Sequence, residues 1–237
     1  MTTELLIALL TLTFLEIVLG IDNIIFISIV TNKLPAEQQP RARFIGLSLA
    51  MVFRVALLFG ITWLIGLTQT VFSVMEFDFS WRDIILLSGG IFLLGKSTME
   101  IHHKVEGVEE RPGVESKGKA KSMASILFQI VLLDLVFSFD SILTAVGLTD
   151  NLPIMIAAVI ISIVVMMIFA GKISAFINKH PSLQILALAF LILIGFMLSV
   201  EAFDQHVPKG YIYFAVFFSM MVEMINLRFQ KKQKKTV

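Results

Sequence analysis

Two apolar runs of this chain carry the same ten-residue pattern, 118 positions apart. Residues 15–24 read LEIVLGIDNI and residues 133–142 read LDLVFSFDSI. Acid aligns with acid, Glu16 with Asp134 and Asp22 with Asp140, and an amide or hydroxyl follows the second acid in each (Asn23, Ser141). Each run is long enough to cross a bilayer and holds its acids near the middle. An Asp there costs about 2.5–3.5 kcal/mol on an insertion scale. A chain that places two acids in one such segment, and then repeats the arrangement, is expected to use them.

The rest of the composition agrees with a membrane setting. Of 237 residues 57% are hydrophobic and only 16% charged, and the mean hydropathy is +0.89. Apolar stretches exceed the roughly 20 residues that span a hydrocarbon core and use up nearly the whole chain. The reading is therefore one transmembrane domain, 1–237, with no separate soluble domain. There is no cysteine, which excludes thiolate ligands, disulfides and thiol catalysis. The first run continues to about Thr31 without a basic start or a cleavage site, so it reads as a retained span rather than a signal peptide.

The pattern predicts an all-α integral membrane protein with seven transmembrane helices. Their approximate bounds are 5–31, 43–67, 83–101, 123–148, 152–177, 183–203 and 211–227. One long polar loop, 102–121, contains Gly107, Pro112, Gly113 and Gly118 and is expected to be flexible. Fifteen basic residues fall in this loop, the other loops of the same side and the C-terminal tail, against Arg82 and Lys209 on the opposite side. The positive-inside rule then puts the N-terminus outside and the tail inside. The basic tail is a topology anchor, and nucleic-acid binding is not needed to explain it.

With that orientation the two matching segments run in opposite directions. Weaker echoes extend the match. Gly46 and Gly60 bracket the second helix as Ala157 and Gly171 bracket the fifth, and residues 91–95 (IFLLG) resemble 191–195 (LILIG). The architecture implied is two inverted three-helix repeats, about 5–101 and 123–203, joined by the cytoplasmic loop and followed by an extra helix at 211–227. Transporters with such repeats bind their cargo near the midplane, between the repeats.

Glu16 and Asp22 lie six residues apart, about 600° of helix, and so point about 120° away from each other. Gly20 between them lowers the cost of unwinding. A broken first helix would bring the two acids together and free backbone carbonyls as ligands. The candidate ligands are Glu16, Asp22, Asp134 and Asp140, with Asn23, Ser28, Ser138, Ser141 and Thr144 nearby. These hard oxygen donors suit Mg²⁺, Ca²⁺ or Mn²⁺. All four histidines (His102, His103, His180, His206) fall at span ends or in loops. Arg54, mid-span in the second helix, has Val165 as its counterpart in the fifth. A lone guanidinium there is costly, so an ion pair with a central acid is expected. Glu223 fits a salt bridge with the tail or a place in the ion path. Glu201 and Asp204 suggest an outer vestibule for cations. Twelve methionines read as apolar packing.

Residues 15–24, 132–147 (LLDLVFSFDSILTAVG) and 201–226 (EAFDQHVPKGYIYFAVFFSMMVEMIN) together resemble the motifs of the TerC family of bacterial inner-membrane proteins, in its short form without cytoplasmic domains. The resemblance covers essentially the whole chain. It implies a multi-pass protein of the bacterial inner membrane, N-terminus periplasmic and C-terminus cytoplasmic, that exports Mn²⁺ or handles a related metal. The ligands it implies are Glu16, Asp22, Asn23, Asp134 and Asp140; beside the resemblance, Ser141, Arg54 and Glu223 are candidate auxiliary residues.

The leading expectation is a divalent-cation exporter working by alternating access, with no permanently bound cofactor and no enzymatic activity. Membrane lipid surrounds it, and protons returning on the carboxylates are a possible coupling ion. A second reading is a membrane partner that assists metalation or maturation of secreted proteins through secretion-machinery contacts, without transporting. An intramembrane aspartyl protease with an Asp22–Asp140 dyad fits least, since the Gly-x-Gly-Asp motif is missing and a dyad leaves the four-acid pattern unexplained. A retinal photoreceptor lacks its lysine on the seventh helix.

Overall fold

The computed structural model describes residues 3–74, 77–106, 122–205 and 208–233; the side chains of Asp22, Val74, Phe77, Asp140, Lys209 and residues 230–233 lie outside the description. The elements run α1 (Thr3–Thr31), α2 (Gln39–Phe59), α3 (Ile61–Gly66), β1 (Thr70–Val74), β2 (Phe77–Ser80), α4 (Trp81–Val105), α5 (Met123–Leu148), α6 (Leu152–Lys179), α7 (Pro181–Glu201) and α8 (Lys209–Gln233). Among the described residues seven helices are long and apolar enough to cross a membrane: α1, α2, α4, α5, α6, α7 and α8. This is an all-α integral membrane protein.

Three local expectations need correction. The second span does not run to residue 67. It ends at Phe59, Gly60 caps it by donating to the Ala56 carbonyl, and a separate short helix follows. Next comes a small antiparallel hairpin, with Phe72 stacked on Phe79 at 5.4 Å between ring centres. Ser80 then starts α4. Its backbone N–H donates to Asp83 Oδ2 at 2.8 Å and its Oγ accepts from the Asp83 N–H at 3.3 Å, the reciprocal pairing of a capping box. The third span accordingly begins at Trp81 and ends at Val105, taking in His102, His103 and Lys104. Most of the long polar loop, 107–121, lies outside the described residues.

The chain divides into two units. The first holds α1, α2, α3, the hairpin, the first residues of α4, α5 and α6 as far as Phe176. Its core is an interlock of α2 with α5. On α2 a stripe at four-residue spacing, Ala42, Gly46, Ala50, Arg54 and Leu58, is buried; on α5 the matching stripe is Ile126, Ile130, Asp134, Ser138 and Ile142. The small residues let the backbones close up. A Cβ on Gly46 would fall 2.9 Å from Ile130 Cδ1. Gly46 faces Ile130 and Arg54 reaches Ser138, so α2 and α5 run parallel. Asn23 reaches Asp134 while Leu12 shares a cavity with Ile142, so α1 and α5 run antiparallel.

The second unit holds the remainder of α4, the end of α6, α7 and α8. Here α4 and α7 cross backbone to backbone. A Cβ on Gly90 would lie 2.6 Å from the Gly195 carbonyl oxygen, and one on Gly195 would lie 2.8 Å from that of Gly90. Gly195 closes the second segment of the weak echo between 91–95 and 191–195, and close approach is the physical reason for it; its counterpart Gly95 faces open space, and the partner at the crossing is Gly90, just before the echo.

Candidate functional site

The central acids are reached from α1, α2 and α5. Arg54, one turn before the end of α2, points its guanidinium between the other two helices and is 2% exposed. Nη1 donates to Glu16 Oε2 on α1 at 2.5 Å, Nη2 to Asp134 Oδ1 on α5 at 2.8 Å, and Nε to Ser138 Oγ at 2.8 Å. Ser138 Oγ donates in turn to Asp134 Oδ2 at 3.1 Å, and Asn23 Nδ2 donates to Asp134 Oδ1 at 3.1 Å. Glu16, Asn23, Asp134 and Ser138 are all buried. The expected ion pair of Arg54 forms, with two acids rather than one. These two acids occupy equivalent places in the repeated decapeptide.

The balance of this cluster matters chemically. Two buried carboxyl groups face one guanidinium, so the cluster holds more acids than bases. Breaking a buried pair by removing one partner leaves an uncompensated charge at a cost of about 3–5 kcal/mol. Arg54 supplies both acids with a counter-charge tethered to the chain. Glu16 also lines a cavity of about 10 Å³ with Leu12, Leu58, Ile142 and Ala158, room for about one water. One turn before Glu16, the buried Thr13 Oγ1 has no hydrogen-bond partner.

The helix around these acids is unbroken. Both α1 and α5 are continuous through the decapeptides, contrary to the expected unwinding at Gly20. Gly20 serves packing instead. A Cβ there would fall 2.3 Å from Met166 Sδ, so the missing side chain is the space that Met166 of α6 fills.

Asp22 and Asp140 sit within α1 and α5 by backbone, beside the buried Asn23, Phe139 and Ser141; their side chains lie outside the described residues. Among the described residues no three of His, Cys, Asp and Glu gather into a metal-sized cluster. Ser28 and Ser141 spend their protons within their own helices, on the Ile24 carbonyl at 2.7 Å and the Ser138 carbonyl at 3.3 Å. Glu223 belongs to α8 in the second unit. Its partner is Asn226, whose Nδ2 donates to Oε2 at 3.4 Å, and its buried Oε1 has none. Glu201 is buried at the end of α7, unlike a vestibule group, whereas Asp204 is exposed with φ 57°.

Comparison with known proteins fits this membrane architecture. The chain matches the Integral membrane protein TerC family over residues 1–236. UPF0053 inner membrane protein YgdQ of Escherichia coli (strain K12) is 54% identical over 222 residues, covering 94% of this chain and 92% of that protein. A UPF0053 protein of Haemophilus influenzae is 50% identical over 228 residues, 96% of this chain and 95% of that one. UPF0053 inner membrane protein YoaE of Escherichia coli (strain K12) is 49% identical over 218 residues, 92% of this chain but 42% of that longer protein. No solved structure matches the chain. The match along essentially its full length, joined to seven apolar helices, makes this chain a member of the TerC family of integral membrane proteins.

Proposed function

We propose that this protein exports a divalent metal cation, Mn²⁺, across the bacterial inner membrane by alternating access, with the acids of α1 and α5 as the ion's seat. One observation carries the reading: Glu16 and Asp134, from antiparallel helices, converge on the single buried guanidinium of Arg54. Arg54 is the tethered counter-charge of these two acids. A divalent ion arriving at the carboxylates replaces that charge, and Arg54 returns when the ion leaves. Asp22 and Asp140, in register in the repeat, contribute further hard oxygens, which suit Mn²⁺ as they suit Ca²⁺ and Mg²⁺. Protons returning on the same carboxylates drive the cycle.

Several features support this reading. Buried acids within membrane spans mark ion paths and proton relays far more often than scaffolding. The distribution of basic residues, fifteen against two, supports a periplasmic N-terminus and a cytoplasmic tail. Relatives at 54% identity are named inner membrane proteins. The protein is a carrier rather than an enzyme, and no bond is made or broken in its cycle. Cells relying on this protein for Mn²⁺ efflux provide the test. Asp22→Asn and Asp140→Asn are expected to raise cellular Mn several-fold at equal expression. Wild-type metal content in both variants contradicts the proposal.

A further inference from the structure

Three turns from Arg54, at the opposite end of α2, a groove of about 220 Å³ opens between the first turns of α2 and the second half of α6. Phe44, Leu47, Met167 and Ala170 give it an apolar wall, and among the described residues Arg43 is the one charged residue that lines it. Arg43 is half-buried, and its Nη1 donates to Ser174 Oγ at 3.2 Å. Ser174 is neutral, and no carboxylate pairs with Arg43 among the described residues. A guanidinium has five N–H donors, so this one enters the groove with most of its capacity unspent. Arg41, two residues before Arg43, and Lys172, next to Gly171, are both exposed and add positive charge at this end of the two helices.

The chemistry of the groove selects its occupant. A metal cation is repelled by an arginine rim, so this is not the mouth of an ion path. A free anion has no use for the apolar wall. Gly171 keeps that wall open, since a Cβ added there would meet no protein atom within 4 Å. Both helices are long and apolar enough to cross a membrane, and Arg43 stands one turn into α2, at the end of a span, where headgroups are met. We infer that this groove binds an anionic phospholipid, its phosphate on Arg43 and an acyl chain along Phe44, Leu47, Met167 and Ala170. Arg41 and Lys172 favour a lipid with net negative charge over a zwitterionic one, by about fivefold per cation at the membrane surface.

Native mass spectrometry of the purified full chain, titrated with phosphatidylglycerol or phosphatidylethanolamine, tests this. The wild type is expected to retain one phosphatidylglycerol in at least about fivefold preference. Arg43→Gln keeps the groove and is expected to reduce that preference about fivefold. Gly171→Leu fills the groove, keeps the arginine and is expected to lose the bound lipid, with an unchanged circular dichroism spectrum. Arg43→Gln decides alone if Gly171→Leu does not fold. No preference in the wild type, or unchanged retention by Arg43→Gln, overturns the proposal. So does displacement of the lipid by millimolar inorganic phosphate, which would make the site one for the free anion.

Discussion

Ser138 and Gly20 hold equivalent places in the two copies of the decapeptide, and their surroundings are opposite in kind. Ser138 meets the guanidinium of Arg54 and passes a hydrogen bond on to Asp134. Gly20 meets the thioether of Met166. In the sequence echo Arg54 aligns with Val165, the residue before Met166. The acids are thus present twice and the cation once. A second arginine would have given Glu16 and Asp134 one partner each; with one, the two acids share it.

Removing the one cation should have the largest effect. Arg54→Met leaves Glu16 and Asp134 buried without a counter-charge, and a loss of about 3–5 kcal/mol is expected. Denaturant titration in detergent measures it. The triple variant with Glu16→Gln and Asp134→Asn should recover most of that loss. A stable single variant would mean that the acids are not ionised around Arg54. Ser138→Ala removes an acceptor for Arg54 and a donor for Asp134 together, and about 1–3 kcal/mol is expected.

The apolar side of the comparison breaks differently. Gly20→Leu overfills the space taken by Met166 and should cost about 1–3 kcal/mol, restored in part by Met166→Ala. Gly20→Ala should cost far less, because the thioether is the flexible end of its side chain and can move. If Gly20 were instead a hinge for the helix, Met166→Ala would rescue nothing. The smallest effect is expected from Asn23→Ala, which removes one of several hydrogen bonds to Asp134. Interhelical bonds of this kind average about 0.6 kcal/mol in membranes.

Much of this was legible in the sequence because lipid makes apolar length and polar cost nearly unambiguous. The seven spans follow from hydropathy, and the pairing of Arg54 follows from the cost of leaving it alone. The break at Gly60 was hidden, since Ile61, Trp63, Leu64 and Ile65 continue the apolar run past the end of the helix. Gly20 was misread because a glycine offers both backbone freedom and an absent side chain, and only the neighbouring helix decides which is used. The bridging role of Ser138 depends on the register of α2 against α5. Its one sequence signal is the stripe Ala42, Gly46, Ala50, Arg54, in which three small residues lead a helix face up to an arginine.

The central claim is that carboxylates from two oppositely directed helices, paired with Arg54, seat a transported divalent ion. Mn²⁺ uptake into inside-out vesicles carrying the purified protein tests it most directly. Wild-type vesicles should accumulate the ion and Asp140→Asn vesicles should not. Uptake no greater than in protein-free vesicles, or equal uptake by the wild type and the variant, would contradict it.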